Sequence, residues 1–204
     1  PLARLTGPAC VPIGGEATGG LGAGGDPMIG RSAAERAADS LSAILEGADA
    51  LFVVCGLGGG TGTGATPVLL QQARRAEIPS ACFAIMPFDC EGRRRREVAE
   101  RGLSQIRDHT GMVVTFPNQR LFDLFGAETA VEKAFSLANS EICAAIRNLC
   151  GLVADGGALN MDMADFRAFM EYGRNGCVAG HARGEGPDRV SSALAALKRN
   201  ALLR

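Results

Sequence analysis

Gly58-Gly59-Gly60-Thr61-Gly62-Thr63-Gly64 is a stretch of this 204-residue chain whose residue types and spacing imply chemistry by themselves. Its glycines let the backbone approach a ligand closely and turn several N–H groups toward one point. The flanks say what belongs at that point. Leu51 to Cys55 is an unbroken apolar run with β-branched and aromatic members, which reads as a buried strand. Ala65 to Ala76 carries Val68, Leu69 and Ala73 at helical spacing, with Pro67 expected in the first turn, where a missing N–H costs nothing. Strand, glycine turn and helix in that order put a positive helix N-terminus at the turn, so the expected occupant is an anion, above all a phosphate. Thr61 and Thr63 can add hydroxyl donors.

Three kinds of glycine loop compete for this stretch. A Walker loop needs Lys-Ser/Thr after its last glycine, and the only lysines here are Lys133 and Lys198. A dinucleotide loop fits Gly60-Thr61-Gly62-Thr63-Gly64-Ala65 as G-x-G-x-x-A, with Asp89 or Glu91 as the acidic residue that such a site requires. That reading implies an oxidoreductase, and hydride-cofactor binding is its test. A glycine turn with no ligand is disfavoured by the well-formed strand and helix on either side.

Other segments carry chemistry in company. Gly20-Leu21-Gly22-Ala23-Gly24-Gly25-Asp26-Pro27 is a second glycine loop. There Asp26 can cap a helix that has Pro27 at its first position. Arg93-Arg94-Arg95-Arg96 opens a helix with its charge against the dipole. It is either a solvated face or the source of one arginine for the anion. Asp162 and Asp165 lie three apart at a helix start, as an N-cap pair or as two carboxylates on one side of the first turn.

The elements that must hold these residues follow from periodicity. Ile29, Ala33, Ala37, Leu41 and Leu45 repeat as a helix ending near Gly47. Strands are expected at Ser80 to Met86, Met112 to Phe116 and Gly176 to His181. Helices are expected from Arg93 to about His109, briefly from Pro117, and from about Ala130 to Ala154. The last of these bears the stripe Val131, Phe135, Ala138, Ile142, Ile146, Leu149 and Val153. A helix packed through Phe166, Phe169 and Met170 and a final amphipathic helix from Pro187 to Leu197 complete the chain. Strands alternating with helices imply a parallel α/β sheet covered on both faces.

Composition narrows the class further. Hydrophobic content is 47% and net charge is −1, so a packed core is available and general attraction to nucleic acid is not expected. No apolar run is long enough to span a bilayer, so direct membrane insertion is not expected. The seven cysteines have no C-x-x-C spacing and read as free thiols of a reducing cytosol. Cys143 and Cys150, two turns apart, are expected to be buried. His109 and His181 read as surface or satisfied residues.

In order, GLGAGG, GGGTGTG, PF-x-x-EG-x-x-R, PN-x-x-L and N-x-D-x-x-D resemble the tubulin/FtsZ family over roughly residues 11 to 204. The resemblance implies a Rossmann-like parallel sheet flanked by helices, a long central helix and the start of a second subdomain. Residues 1–154 would be a partial GTP-binding domain, and 155–204 the catalytic loop with the beginning of a C-terminal subdomain. It implies GTP or GDP as ligand and Mg²⁺ bridging phosphate oxygens. Gly58, Gly59, Gly60, Thr61, Gly62, Thr63 and Gly64 would wrap the phosphates, and Gly22, Ala23, Gly24 and Gly25 would sense the γ-phosphate. Glu91 would accept from the ribose hydroxyls, Arg95 would reach ribose or α-phosphate, Phe135 would lie against the base, and Asn118 and Asn139 would recognise guanine.

Asn160, Asp162 and Asp165 would form a loop that completes hydrolysis in the pocket of the next subunit. Head-to-tail repetition then gives a filament of bacterial cell division, cytoplasmic, at the division site, and in company with other division proteins. Two departures qualify this. Ser140 stands where the family commonly has an acidic residue, which weakens the expected guanine selectivity and admits a non-catalytic relative that co-assembles with an active member. Nothing before residue 11 resembles the family's first strand and loop, and the family continues past residue 204, so a piece of a longer protein is expected.

Overall fold

The computed structural model describes residues 10–15, 22–120, 131–154, 161–172, 177–180 and 182–199. Its centre is a parallel sheet in the order β1 (Leu51–Gly56), β2 (Ser80–Met86), β3 (Met112–Pro117). Val53 sits opposite Cys82, and Cys82 opposite Val113, with the register unbroken along both pairs. β1 and β3 are apolar runs rich in β-branched and aromatic residues, and β2 is apolar apart from Ser80, as a sheet covered on both faces requires.

Helices cover both faces. One carries α1 (Pro27–Arg36), α2 (Ala38–Ala43), α3 (Thr61–Arg75) and α4 (Arg93–Arg107). Its core joins Val53, Cys55, Leu70, Cys82, Ala99, Ile106 and Val113. The other carries α5 (Val131–Ala154) and α6 (Met163–Tyr172). There Phe83, Val114, Phe116, Ile142, Ala145, Phe166 and Met170 pack together, with Phe83 stacked on Phe116 at 6.1 Å between ring centroids. A last helix, α7 (Arg189–Arg199), follows. The α/β class read from the sequence is the observed one.

Four local expectations need correction. Helix α3 begins at Thr61, four residues earlier than its apolar periodicity indicated, so Pro67 lies inside it rather than in its first turn. The helix from Pro27 breaks at Ala37, whose N–H is shared between the Ala33 and Ala34 carbonyls, and a second short helix runs on to Ala43. The expected strand from Gly176 shows only one parallel bridge, Val114 to Cys177, among the described residues. Its glycines give a ladder little to pack. Cys143 and Cys150 are exposed, because the face of α5 that they share is turned away from Ile142, Ala145 and Leu149.

Candidate functional site

The C-terminal ends of the three parallel strands open on one side, the usual place for a ligand in an α/β sheet. β1 runs into Leu57–Gly60, β2 into the turn Asp89–Glu91, and β3 into Asn118. Gly58 holds φ +90, and its N–H donates to Thr63 Oγ1 at 3.0 Å, which closes the loop on the first turn of α3. Thr63 is therefore buried and engaged within the loop, while Thr61 is exposed. The cap residue of α3 is Gly60, which makes no side-chain capping bond. The first-turn N–H groups of a 15-residue helix are thus left for an external acceptor.

The second glycine loop docks directly on the first. Gly22, Gly24 and Gly25 all have positive φ, and the buried Ala23 packs so closely that a Cβ on Gly60 would come within 2.6 Å of its methyl. Asp26 caps α1 as expected, accepting from the Met28 N–H at 2.8 Å. Below the loops α1 and α3 cross almost in backbone contact. A Cβ on Gly64 would lie 2.0 Å from the Pro27 carbonyl oxygen, and one on Gly30 would lie 2.3 Å from that of Gly60.

These loops and α4 enclose a cleft of about 910 Å³. Of the residues singled out in the sequence, Gly24, Gly25, Gly58, Gly59, Gly60, Thr63, Gly64, Glu91 and Arg95 line it. Glu91 is held twice: Oε1 accepts from the Phe88 N–H at 2.7 Å, and Oε2 pairs with Arg95 at 3.0 Å. The arginine run is thereby divided. Arg93 pairs with Glu97 and Arg96 with Asp89, while Arg94 faces the cleft with no carboxylate partner among the described residues. Arg101 does the same two turns further along.

Gly22, Ala23, Thr61, Gly62, Asn118, Asn139 and Ser140 do not line the cleft. Asn118 follows β3 at 5% exposure, and its Oδ1 is buried without a hydrogen-bond partner. Such an orphan acceptor fits a site that awaits a donor, as a nucleobase amine or ring N–H would supply. Asn139 and Ser140 are exposed on α5, and the Ser140 hydroxyl donates back to the Ser136 carbonyl at 2.9 Å. The Phe135 side chain and Asn160 lie outside the described residues.

Asp162 caps α6, its Oδ1 accepting from the Asp165 N–H at 2.7 Å, and both carboxylates are exposed. They sit at the other end of the strands. Phe166 of α6 meets Phe52, near the start of β1, at 6.2 Å between ring centroids. A Cβ on Gly111, just before β3, would be 2.7 Å from the Met170 carbonyl oxygen.

Sequence reasoning missed Arg31, Val98, Arg101, Gly102 and Gln105 as lining residues. The signal was present: 94, 98, 101 and 105 fall on one face of a helix.

The profile of the tubulin/FtsZ family GTPase domain matches residues 3–126, more than half of the chain. The chain belongs to the tubulin/FtsZ family. It is 36% identical over 195 residues to the cell division protein FtsZ of Coxiella burnetii, covering 95% of this chain and 50% of that protein. It is 32% identical to a solved point mutant of FtsZ from M. jannaschii, with a TM-score of 0.88, covering 99% of this chain and 60% of the other. A GTPγS-bound protofilament of CetZ2 from Haloferax volcanii is 28% identical with a TM-score of 0.60, covering 70% of this chain and 42% of the other. The chain spans about half the length of the curated relatives it matches. Among the described residues no helix is long and apolar enough to cross a membrane.

Glu91 offers a direct test of the cleft as a nucleotide site. Glu91→Ala is expected to weaken binding of a fluorescent GTP analogue about tenfold. It removes both the Arg95 anchor and the acceptor for the Phe88 N–H, each worth about 1 kcal/mol. Glu91→Gln, which keeps the second contact, is expected to lose only about half of that free energy. Equal losses in the two variants would contradict the double anchoring.

Proposed function

We propose that this protein binds GTP in the cleft between its two glycine loops and hydrolyses it when copies stack head to tail into a filament. The observation that carries this reading is the separation of the site's two halves. The phosphate loops lie at the C-terminal ends of the strands, while Asp162 and Asp165 are exposed at the opposite ends. One copy cannot bring its own carboxylates to its own cleft. A second copy, translated along the strand direction, can, and repeating that step gives an open filament.

Within the cleft the residues divide the work. The backbone N–H groups of Gly59 to Gly62 at the uncapped start of α3 receive the phosphates, Gly58 being held by Thr63, and Gly24 and Gly25 close over their far end. Glu91 accepts from the ribose, and Arg95, steadied by Glu91, meets ribose or α-phosphate. Base recognition is assigned by family resemblance to Asn118 and Asn139, which stand outside the cleft's lining, and to Phe135. Asp162 and Asp165 of the neighbouring copy, with Asn160, accept hydrogen bonds from the attacking water and orient it. Mg²⁺ would offset the phosphate charge, held by phosphate oxygens and water, as small hard cations commonly are in such sites. Asp26, the other carboxylate of the cleft, is engaged with the Met28 N–H. The cellular role that follows is septum formation in bacterial cytoplasm, alongside other division proteins. Sedimentation tests the reading: pelleting of the full-length product with GTP but not with GDP is the expected result, and equal pelleting with both contradicts it.

A second reading, a non-catalytic relative that co-assembles with an active member, draws on Ser140. Its hydroxyl hydrogen is spent on Ser136. The hydroxyl can therefore only accept, through a single neutral oxygen, where a carboxylate could present two charged oxygens to guanine N1–H and the exocyclic amine. ATP is accordingly expected to compete with GTP more effectively than at a carboxylate-bearing site, and Ser140→Asp is expected to raise the preference for GTP about tenfold. A strong GTP preference that Ser140→Asp leaves unchanged removes this role for Ser140.

A further inference from the structure

Beneath the phosphate loop, Cys55 of β1 and Cys82 of β2 place their sulfurs 3.7 Å apart on the face covered by α3 and α4. Cys82 is fully buried and Cys55 retains 7% exposure. Nothing in nucleotide binding or hydrolysis uses either thiol. We propose that this pair is an oxidation site: a peroxide converts it to a disulfide, and the disulfide loosens the phosphate loop. The first half stands on the cysteine geometry alone, and its consequence for ligand affinity rests on the nucleotide reading above.

The register explains why the bond would strain the sheet. Cys55 is opposite Ala84 and Cys82 is opposite Val53, so the cysteines are diagonal neighbours on adjacent strands. With parallel strands about 4.8 Å apart and a rise of about 3.3 Å per residue, diagonal Cα positions are about 8 Å apart, beyond the roughly 4.4–6.8 Å spanned by a relaxed disulfide. Drawing the sulfurs from 3.7 Å to bonding distance therefore pulls the end of β1 along β2. The next residue, Gly56, has no slack, because its carbonyl oxygen already lies 2.1 Å from where a Cβ on Gly62 would be. Displacement at Cys55 thus passes to the first turn of α3.

The chemistry balances with a peroxide as the oxidant. Cys55 is the entry point, since it keeps 7% exposure while Cys82 has none. The adjacent Cys55 sulfur and burial push the Cys82 thiol up. The Cys55 thiolate attacks one peroxide oxygen, an S–O bond forms, the O–O bond breaks, and the departing hydroxide leaves as water with the thiol proton. Cys82 then attacks the Cys55 sulfur, S–S forms, S–O breaks, and the second hydroxide leaves as water with the Cys82 proton. Two thiols lose two electrons and one peroxide becomes two waters. A strained disulfide is the readily reduced kind, so thiols reverse the step.

The test uses hydrogen peroxide on the protein with Cys10, Cys90, Cys143, Cys150 and Cys177 changed to serine. Expected are a Cys55–Cys82 link by peptide mass mapping and faster amide exchange over Gly58–Gly64. GTP affinity is expected to fall about tenfold, GTP to protect the thiols by the same factor, and dithiothreitol to reverse the whole. Adding Cys82→Ala should abolish the link and both consequences. No link under excess peroxide overturns the proposal, as does a link that leaves exchange unchanged. If the reduced protein binds no GTP while oxidation still speeds exchange, the nucleotide reading falls and the oxidation site stands.

Discussion

Gly62→Ala is expected to lower nucleotide affinity on the order of a hundredfold and to lower Tm by roughly 6–12 °C. Gly62 is the second residue of α3, and its missing side chain faces the end of β1. An added Cβ would lie 2.1 Å from the Gly56 carbonyl oxygen and 3.2 Å from its carbon. Those are backbone atoms of a residue registered opposite Ile85 in β2, so the sheet does not yield and the helix start must. Overpacking of this kind costs about 1–3 kcal/mol, with the upper end expected where both partners are backbone. The phosphate-binding N–H groups ride on the displaced turn, so stability and binding fall together. Gly59→Ala is the control: nothing lies within 4 Å of a Cβ there and its φ is not positive, so Tm is expected to stay within about 2 °C. Thermal melts and titration with a fluorescent GTP analogue measure both variants. Similar Tm losses at the two positions would contradict the close-packing account.

Asp162→Asn is expected to leave GTP binding within about twofold and to cut turnover on the order of a hundredfold or more in the full-length product. Asparagine caps a helix about as well as aspartate, so the acceptor for the Asp165 N–H is retained and α6 keeps its start. What is lost is the charge, and with it the strongest acceptor for the attacking water. Asp162→Ala separates the structural part, since it also removes the cap and should cost about 1 kcal/mol of stability. Single-turnover hydrolysis and binding measured side by side decide the matter. Undiminished turnover in Asp162→Asn would refute the assigned role.

Much of this was legible in the residues because one physical signal dominated each element. The three strands are apolar runs between turn signals, and their bounds differ from the reading by no more than one residue. The start of α3 was not legible. Gly62 and Gly64 are poor helix formers and read as loop, yet they are helical because only a hydrogen fits against Gly56 and Pro27. The loop-like composition is a requirement of close packing, which local propensity does not record. The cleft's α4 wall was half legible: Arg94 and Arg101 share a face by spacing, but a charge run on a helix is ordinarily solvated. Cys143 and Cys150 were misjudged because a seven-residue spacing shows that two residues share a face, not which way it turns. Two glycine loops separated by about thirty residues of sequence gave no local sign of their contact, which Ala23 and Gly60 make.

Phosphate release per protein, followed across increasing concentration of the full-length product, bears most directly on the claim that cradle and carboxylates come from different copies. A specific rate near zero in dilute solution, rising steeply once copies associate, is the predicted result. A specific rate that is high and independent of concentration, in protein shown to be monomeric, would contradict it.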